Sequence, residues 1–405
     1  MAEKYDPSKP WKIDVDILRS SQYEGLSEGL LYLDEQDRLW LPVNISFDAT
    51  QSTDAWRAVQ TNLLLTSEDR GLTWEHTDRP WPGPDHRRTT LSDGTILEMG
   101  TSGWFRYPRS EVARLEAEGY FVWDLGPQHN YCAIIYDLFQ KRSTDGGRTW
   151  EKRQIEAQLP FFAHFVARGP LRLLDDGSLV FLAYGYDREN RKPCRNEGLL
   201  SGYTWGRSSV YCVRSTDGGE TWDLVQMADG RHSPTDQGFT ETFPIIHSDG
   251  DMFVMLRTEL GTHAYSVSSS DGGRTWTQPA RTPILAKHPL PTALRDGTVV
   301  CSYQRRFAQP FGVRARFTSD RGQTWSEETV LRDDIPISDG LTGPNSVEFS
   351  DGTLFTSFGA KKYDDQGREW PFVGGCHWTR SYRRPYGPLL DVPPPGEKYN
   401  SRGER

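Results

Sequence analysis

Cysteine is scarce in this chain: five residues, Cys132, Cys194, Cys212, Cys301 and Cys376, among 405. The number is odd and no two stand in a CxxC or zinc-type spacing, which argues against a disulfide scaffold and a structural zinc site. No apolar run approaches the roughly 18 residues that would suggest a membrane-spanning helix. The amino terminus, MAEKYDPSKPW, lacks the apolar core of a secretory leader, so a cytoplasmic chain is expected, or a secreted or periplasmic one whose leader has been removed. Basic residues are outnumbered, 47 Lys plus Arg against 56 Asp plus Glu, and form no long tract. The resulting charge of -9 disfavours a nucleic-acid partner. The 9 histidines show no HxxxH or HExxH spacing, so neither a metal nor a cofactor is indicated.

Aromatic residues, by contrast, are abundant: 14 Trp, 17 Tyr and 18 Phe supply apolar area for a sizeable core. With 38 Gly and 26 Pro the chain is punctuated too often for long helices, which points to an all-β fold of short strands and turns. One octapeptide recurs five times: SEDRGLTW (67–74), STDGGRTW (143–150), STDGGETW (215–222), SSDGGRTW (269–276) and TSDRGQTW (318–325). Its Asp can accept backbone N–H bonds in a tight turn, its Gly suits a positive φ, and its Trp can cover the turn.

A second repeat interleaves with the first, with Asp-Gly between alternating apolar segments in LSDGTILEM (91–99), LDDGSLVFL (174–182), HSDGDMFVML (247–256), LRDGTVVCSY (294–303) and FSDGTLFTSF (349–358), and Gln-Asp instead in LDEQDRLWL (33–41). These are hairpin signals. Taking Asp37, Asp93, Asp176, Asp249, Asp296 and Asp351 as markers, the intervals of 56, 83, 73, 47 and 55 residues suit one four-stranded blade each. The expectation is one domain over 1–405, a six-bladed β-propeller of four-stranded antiparallel blades with a core at 11–380 and a Pro-rich tail at 381–405. The sixth unit lacks the octapeptide. WKIDVDIL (11–18) is expected to supply its outer strand and close the propeller.

In this topology both repeats mark one end of the blades, so chemistry is sought in the loops at the other end. Glu241 is placed there on the approach to the first strand of blade four, with Arg257 and Glu259 at the end of the second. Arg305, Arg306 and Arg314 flank the corresponding loop of blade five, and Arg87 enters blade two. Converging guanidinium groups suit a substrate carboxylate, although a structural network with Glu241, Glu259 and Asp236 would use the same residues. Asp48 and Asp54, in PVNISFDATQSTDAW, are candidate catalytic acids. A helix is expected over SEVARLEAEG (110–119), capped by Ser110. The surrounding Trp104, Phe105, Tyr107, Tyr120, Phe121 and Trp123 could form a sugar-stacking wall or simply pack the insertion.

The octapeptides resemble the Asp-box, or BNR, repeats of the sialidase superfamily, over essentially the whole chain. Such boxes occur in glycosidases, some lyases and non-enzymatic propellers, so they specify fold more than activity. Family sialidases hold the substrate carboxylate with three arginines and use a Tyr nucleophile activated by a Glu, with an Asp acid/base. By blade position the resemblance assigns the Glu to Glu241, the second arginine to Arg257, the third to Arg305 or Arg306, and the acid/base region to Asp48 or Asp54. The sequence departs from the pattern at two points. No FRIP-type motif carries a first arginine, the nearest being Arg19 beside SSQYEG. In LTGPNSVEFSDG, Asn345 stands where the Tyr is expected, with Tyr363 nearby in a loop. The implied activity is an exo-acting hydrolase that removes a terminal acidic sugar from an oligosaccharide or glycoconjugate. The alternatives are a polysaccharide lyase acting on a uronate-containing glycan and a non-catalytic carbohydrate-binding propeller.

Overall fold

The computed structural model describes residues 6–19, 25–46, 61–85, 87–118, 122–124, 130–154, 161–166, 171–187, 208–235, 238–258, 263–306, 309–336 and 343–383. Its strands form six antiparallel sheets, the blades of a six-bladed β-propeller. Blade four shows the plan: strand Thr240–Ile246 pairs with Met252–Arg257, then His263–Ser269, then Ala280–Leu285. In blade six the order is Asn345–Glu348, Leu354–Tyr363, Glu369–Trp378 and finally Lys12–Arg19. The amino-terminal strand therefore closes this blade, running antiparallel from Lys12 opposite Trp378 to Arg19 opposite Phe372.

The chain divides into two compact units. One holds residues 1–84, 260–263 and 282–405, and with them blades one, five and six; the other, 85–259 and 264–281, holds blades two, three and most of four. Within the second unit, Leu97 and Met99 of blade two pack with Phe181 and Val213 of blade three, and Leu182 and Cys212 pack with Val254 and Val267 of blade four. In the first unit, Val300 and Val313 of blade five pack with Leu354 and Trp378 of blade six, whose Phe355 meets Leu41 and Val43 of blade one.

The octapeptides are the turns between third and fourth strands. In blade two, Asp145 Oδ1 accepts the N–H groups of Arg148 (3.0 Å) and Thr149 (2.9 Å), and Oδ2 accepts the Thr149 hydroxyl (2.6 Å). Ser143 Oγ donates to the same carboxylate (2.8 Å) and accepts from Gly147 N–H (2.9 Å), while Trp150 Nε1 donates to the Gly147 carbonyl (2.9 Å). The residue before the Gly is also left-handed, whether Gly146 (φ 74) or Arg70 (φ 63).

Three expectations need correction. Asp37 takes a φ of 58, the left-handed place that Gly94 fills in blade two; the turn carboxylate of blade one is Asp34, whose Oδ1 accepts from Gln36 and Arg38 N–H. The helix is a 3-10 turn at Arg109–Glu111 followed by α-helix Val112–Ala117, and Ser110 makes no capping bond because it lies inside the turn. The segment before it is not a loop: Ile96–Pro108 and Tyr131–Ser143 pair as two strands of 13 residues each, which places Trp104 and Phe105 on a strand.

Candidate functional site

In blades three, four and five the ladder between the first two strands contains one extra residue on the first strand, toward the end opposite the repeat turns. In blade four Thr240 faces Arg257 and Thr242 faces Leu256, so Glu241 is the bulged residue. A bulge turns a side chain out of the ladder's alternation and commonly serves to re-aim it. Glu241 Oε2 meets Arg257 Nη1 at 2.8 Å, with 22% and 16% of the two side chains exposed. A carboxylate and a guanidinium are thus held together, half-buried, at the end of the blade.

Blade five carries the other cationic groups. Arg305 ends strand Val299–Arg305 and Arg306 follows it; both are buried, each 7% exposed. Arg305 shares its face with Tyr303 and Arg314, since Tyr303 is opposite Arg314 in the ladder. Ser302 and Gln304 alternate onto the other face, toward blade six, where Ser302 Oγ meets Ser346 Oγ at 2.6 Å.

Arg314 is 1% exposed and its guanidinium is spent inside the blade. It donates to the carbonyls of Val313 (3.0 Å), Pro310 (3.0 Å) and Arg332, and Nε lies 3.3 Å from Glu328, which also accepts from the Tyr303 hydroxyl (2.8 Å). Burial lowers the Arg314 pKa, an effect opposed by the Glu328 charge and reinforced by Arg305. This geometry ties the blade together rather than offering Arg314 to a ligand.

Arg87 is exposed, with its backbone N–H on Asp85 (3.0 Å). Its neighbour Arg88 pairs with Glu98 (2.7 Å) and lies over Trp150. Arg19 pairs with Asp16 and covers the Trp370 ring. Asn345 begins the first strand of blade six and accepts from Leu31 N–H (3.0 Å). Tyr363 is not in a loop but ends strand Leu354–Tyr363, opposite Glu369, and is 51% exposed. Asp48, Asp54, Glu259, Asp236, Tyr120 and Phe121 lie outside the described residues. Among the described residues no group of three or more His, Cys, Asp or Glu could hold a metal ion.

Two residues of this end carry little signal in the sequence. His288, in the blade-five bulge, is buried at a φ of 58. Gln304 is wholly buried opposite Lys287. The His-Pro pair at 288–289 signals an irregular strand start, whereas nothing local marks Gln304.

A family model described as a BNR repeat-like domain matches residues 120–289. No curated protein matches the chain. Among solved structures, a protein of unknown function from Dyadobacter fermentans DSM 18053 is 22% identical with a TM-score of 0.61, covering 91% of this chain and 99% of its own. The NanB sialidase from Streptococcus pneumoniae is 14% identical with a TM-score of 0.48, covering 92% and 71%. Trypanosoma rangeli sialidase is 11% identical with a TM-score of 0.48, covering 91% and 60%. With its six sheets and its likeness to the Dyadobacter structure, the chain has the fold of a six-bladed β-propeller, and its residues 120–289 match a BNR repeat-like domain.

Proposed function

We propose that this propeller acts on carbohydrate, as an exo-acting glycoside hydrolase that removes a terminal acidic sugar from an oligosaccharide or glycoconjugate. The observation that carries this reading is the Glu241–Arg257 pair at the bulged end of blade four. A guanidinium with its five donors is suited to a substrate carboxylate, and Arg257 is held at this end beside Glu241. The neighbouring carboxylate is then placed to take a proton from a nucleophile or water. Arg305 and Arg306 are the further carboxylate-binding candidates. Asp48 and Asp54 are the candidates for protonating the leaving oxygen.

One feature favours a lyase as second reading: His288, beside the Arg305 strand end, is a base of the kind that removes a proton α to an arginine-neutralised carboxylate. A screen of acidic oligosaccharides with product mass analysis separates the cases. Reducing sugar without new ultraviolet absorbance supports hydrolysis, an unsaturated uronic product supports elimination, and binding without turnover supports a carbohydrate-binding module. Glu241→Gln and Arg257→Ala are expected to lower kcat/KM by about 100-fold or more, the scale of one general-base or charge-stabilising group. Full activity in both variants would remove this site from consideration.

A further inference from the structure

His377 lies in the third strand of blade six, Glu369–Trp378, opposite Phe355 on one side and Ile13 of the amino-terminal strand on the other. Its side chain is buried, 2% exposed, and meets two rings at steep angles, Phe349 at 5.1 Å and Trp11 at 4.8 Å. Nε2 lies 2.9 Å from Thr353 Oγ1, and that hydroxyl donates at 2.7 Å to Asp351, a carboxylate paired with Arg70. A hydroxyl has one proton and a carboxylate only accepts, so Thr353 Oγ1 is the acceptor toward the ring. The imidazole is therefore held as its Nε2–H tautomer, with the lone pair on Nδ1. Nδ1 is buried without a hydrogen-bond partner among the described residues.

A further proton can go only to Nδ1, where no acceptor meets it, and the surrounding charges do not compensate. Asp351 is engaged by Arg70, which lies over the Phe349 ring at 5.5 Å and also faces Asp37 at 3.9 Å. On the amino-terminal strand Lys12 and Asp14 pair with each other at 2.5 Å, and just past His377 Arg380 faces Asp296 and Glu348. The two aromatic walls differ in freedom. Phe349 is wholly buried in the core, whereas Trp11 is half-buried and tied by three bonds: its N–H to Thr379 Oγ1 and its carbonyl from Thr379 N–H, both 3.1 Å, and Nε1 to the Asp6 carbonyl at 2.9 Å. Trp11 is the wall that yields. We propose that His377 is an acid-sensitive latch: protonation at Nδ1 releases Trp11, and with it strand Lys12–Arg19, from the edge of blade six while the other blades stay folded. The ring takes a proton more readily once the strand has left. The strand is thus held above pH 6.5, and its release grows as pH falls toward about 4, the value to which burial and then Arg70 push His377.

Hydrogen exchange of the intact chain, read by peptide mass at about pH 7 and about pH 4.5 and corrected for the intrinsic rate, tests this. Peptides over 12–19 and 372–378 are expected to lose protection at least about tenfold at the lower pH, while strand Met252–Arg257 of blade four keeps its own. In His377→Gln, whose amide can donate to Thr353 but does not titrate, protection over 12–19 is expected to hold at both pH values. Unchanged protection over 12–19 in the unaltered chain, an equal loss in blade four, or the same loss in His377→Gln would overturn the proposal. Nitrogen-15 NMR of the His377 ring in the unaltered chain does not depend on the variant folding: the Nε2–H tautomer is expected at pH 7, and an Nδ1–H tautomer there would contradict the latch.

Discussion

Asp145 and His377 both lose their contribution to stability on acidification, in different pH ranges. The Thr149 hydroxyl, aided by the backbone N–H of Thr149, holds Asp145 down to about 2, so the turn keeps its charge-assisted bonds above pH 4 and loses them only toward pH 2. His377 is pushed down to about 4, first by burial and then by the charge of Arg70. Its ring sits against Trp11 and Phe349, and Nε2 lies 2.9 Å from the Thr353 hydroxyl. A folded pKa below the ordinary value near 6.5 means that the unfolded chain binds the proton first. Stability is therefore whole above pH 6.5 and declines as pH falls through 4. Melting curves from pH 7.5 to 4 should show this decline, and His377→Gln should flatten it; equal slopes in the two proteins would contradict the assignment. Neither the burial of His377 nor the enclosure of Arg314 is written in its neighbours along the chain, since both depend on residues brought up from other strands.

At the scale of the element, two glycines of the repeat turns differ, Gly94 in the Asp-Gly turn of blade two and Gly71 in the octapeptide of blade one. Gly94 and Gly71 both have positive φ, 83 and 86, so an alanine is strained at either. A Cβ on Gly94 would meet nothing within 4 Å, whereas on Gly71 it would lie 2.0 Å from Phe355 Cε2 of blade six. Gly94→Ala should cost about 1–2 kcal/mol from backbone strain alone. Gly71→Ala adds an overpacking cost of about 1–3 kcal/mol. Chemical denaturation of both variants checks the ranking, and equal losses would show that Phe355 yields freely. The turns themselves were legible because their chemistry lies within eight residues. Ser110 does not cap the helix because a short 3-10 turn precedes it, and sequence alone does not distinguish the first residue of such a turn from a cap.

For the whole molecule, closure of blade six joins the two ends of the described chain. Strand Lys12–Arg19 covers the edge of Glu369–Trp378, whose Val373, Cys376 and Trp378 are buried. Deleting residues 1–19 should expose that edge and produce a lower melting midpoint with self-association, visible by circular dichroism and size-exclusion chromatography. A monomer with an unchanged midpoint would show that the clasp is dispensable. By itself the sequence determined the blades, their order and the need for this clasp, because apolar alternation and turn chemistry are local and repeat six times. It also placed Glu241 and Arg257 at one end of the same hairpin, since an Asp-Gly turn sets the register of both strands. Only the tertiary structure decided that Glu241 is bulged, that Arg305 and Arg306 are buried, that Arg314 is consumed by carbonyls, and that Gln304 is buried without a partner among the described residues. A single extra residue shifts the phase of a strand's side chains, and whether a polar group is satisfied depends on atoms supplied by distant segments.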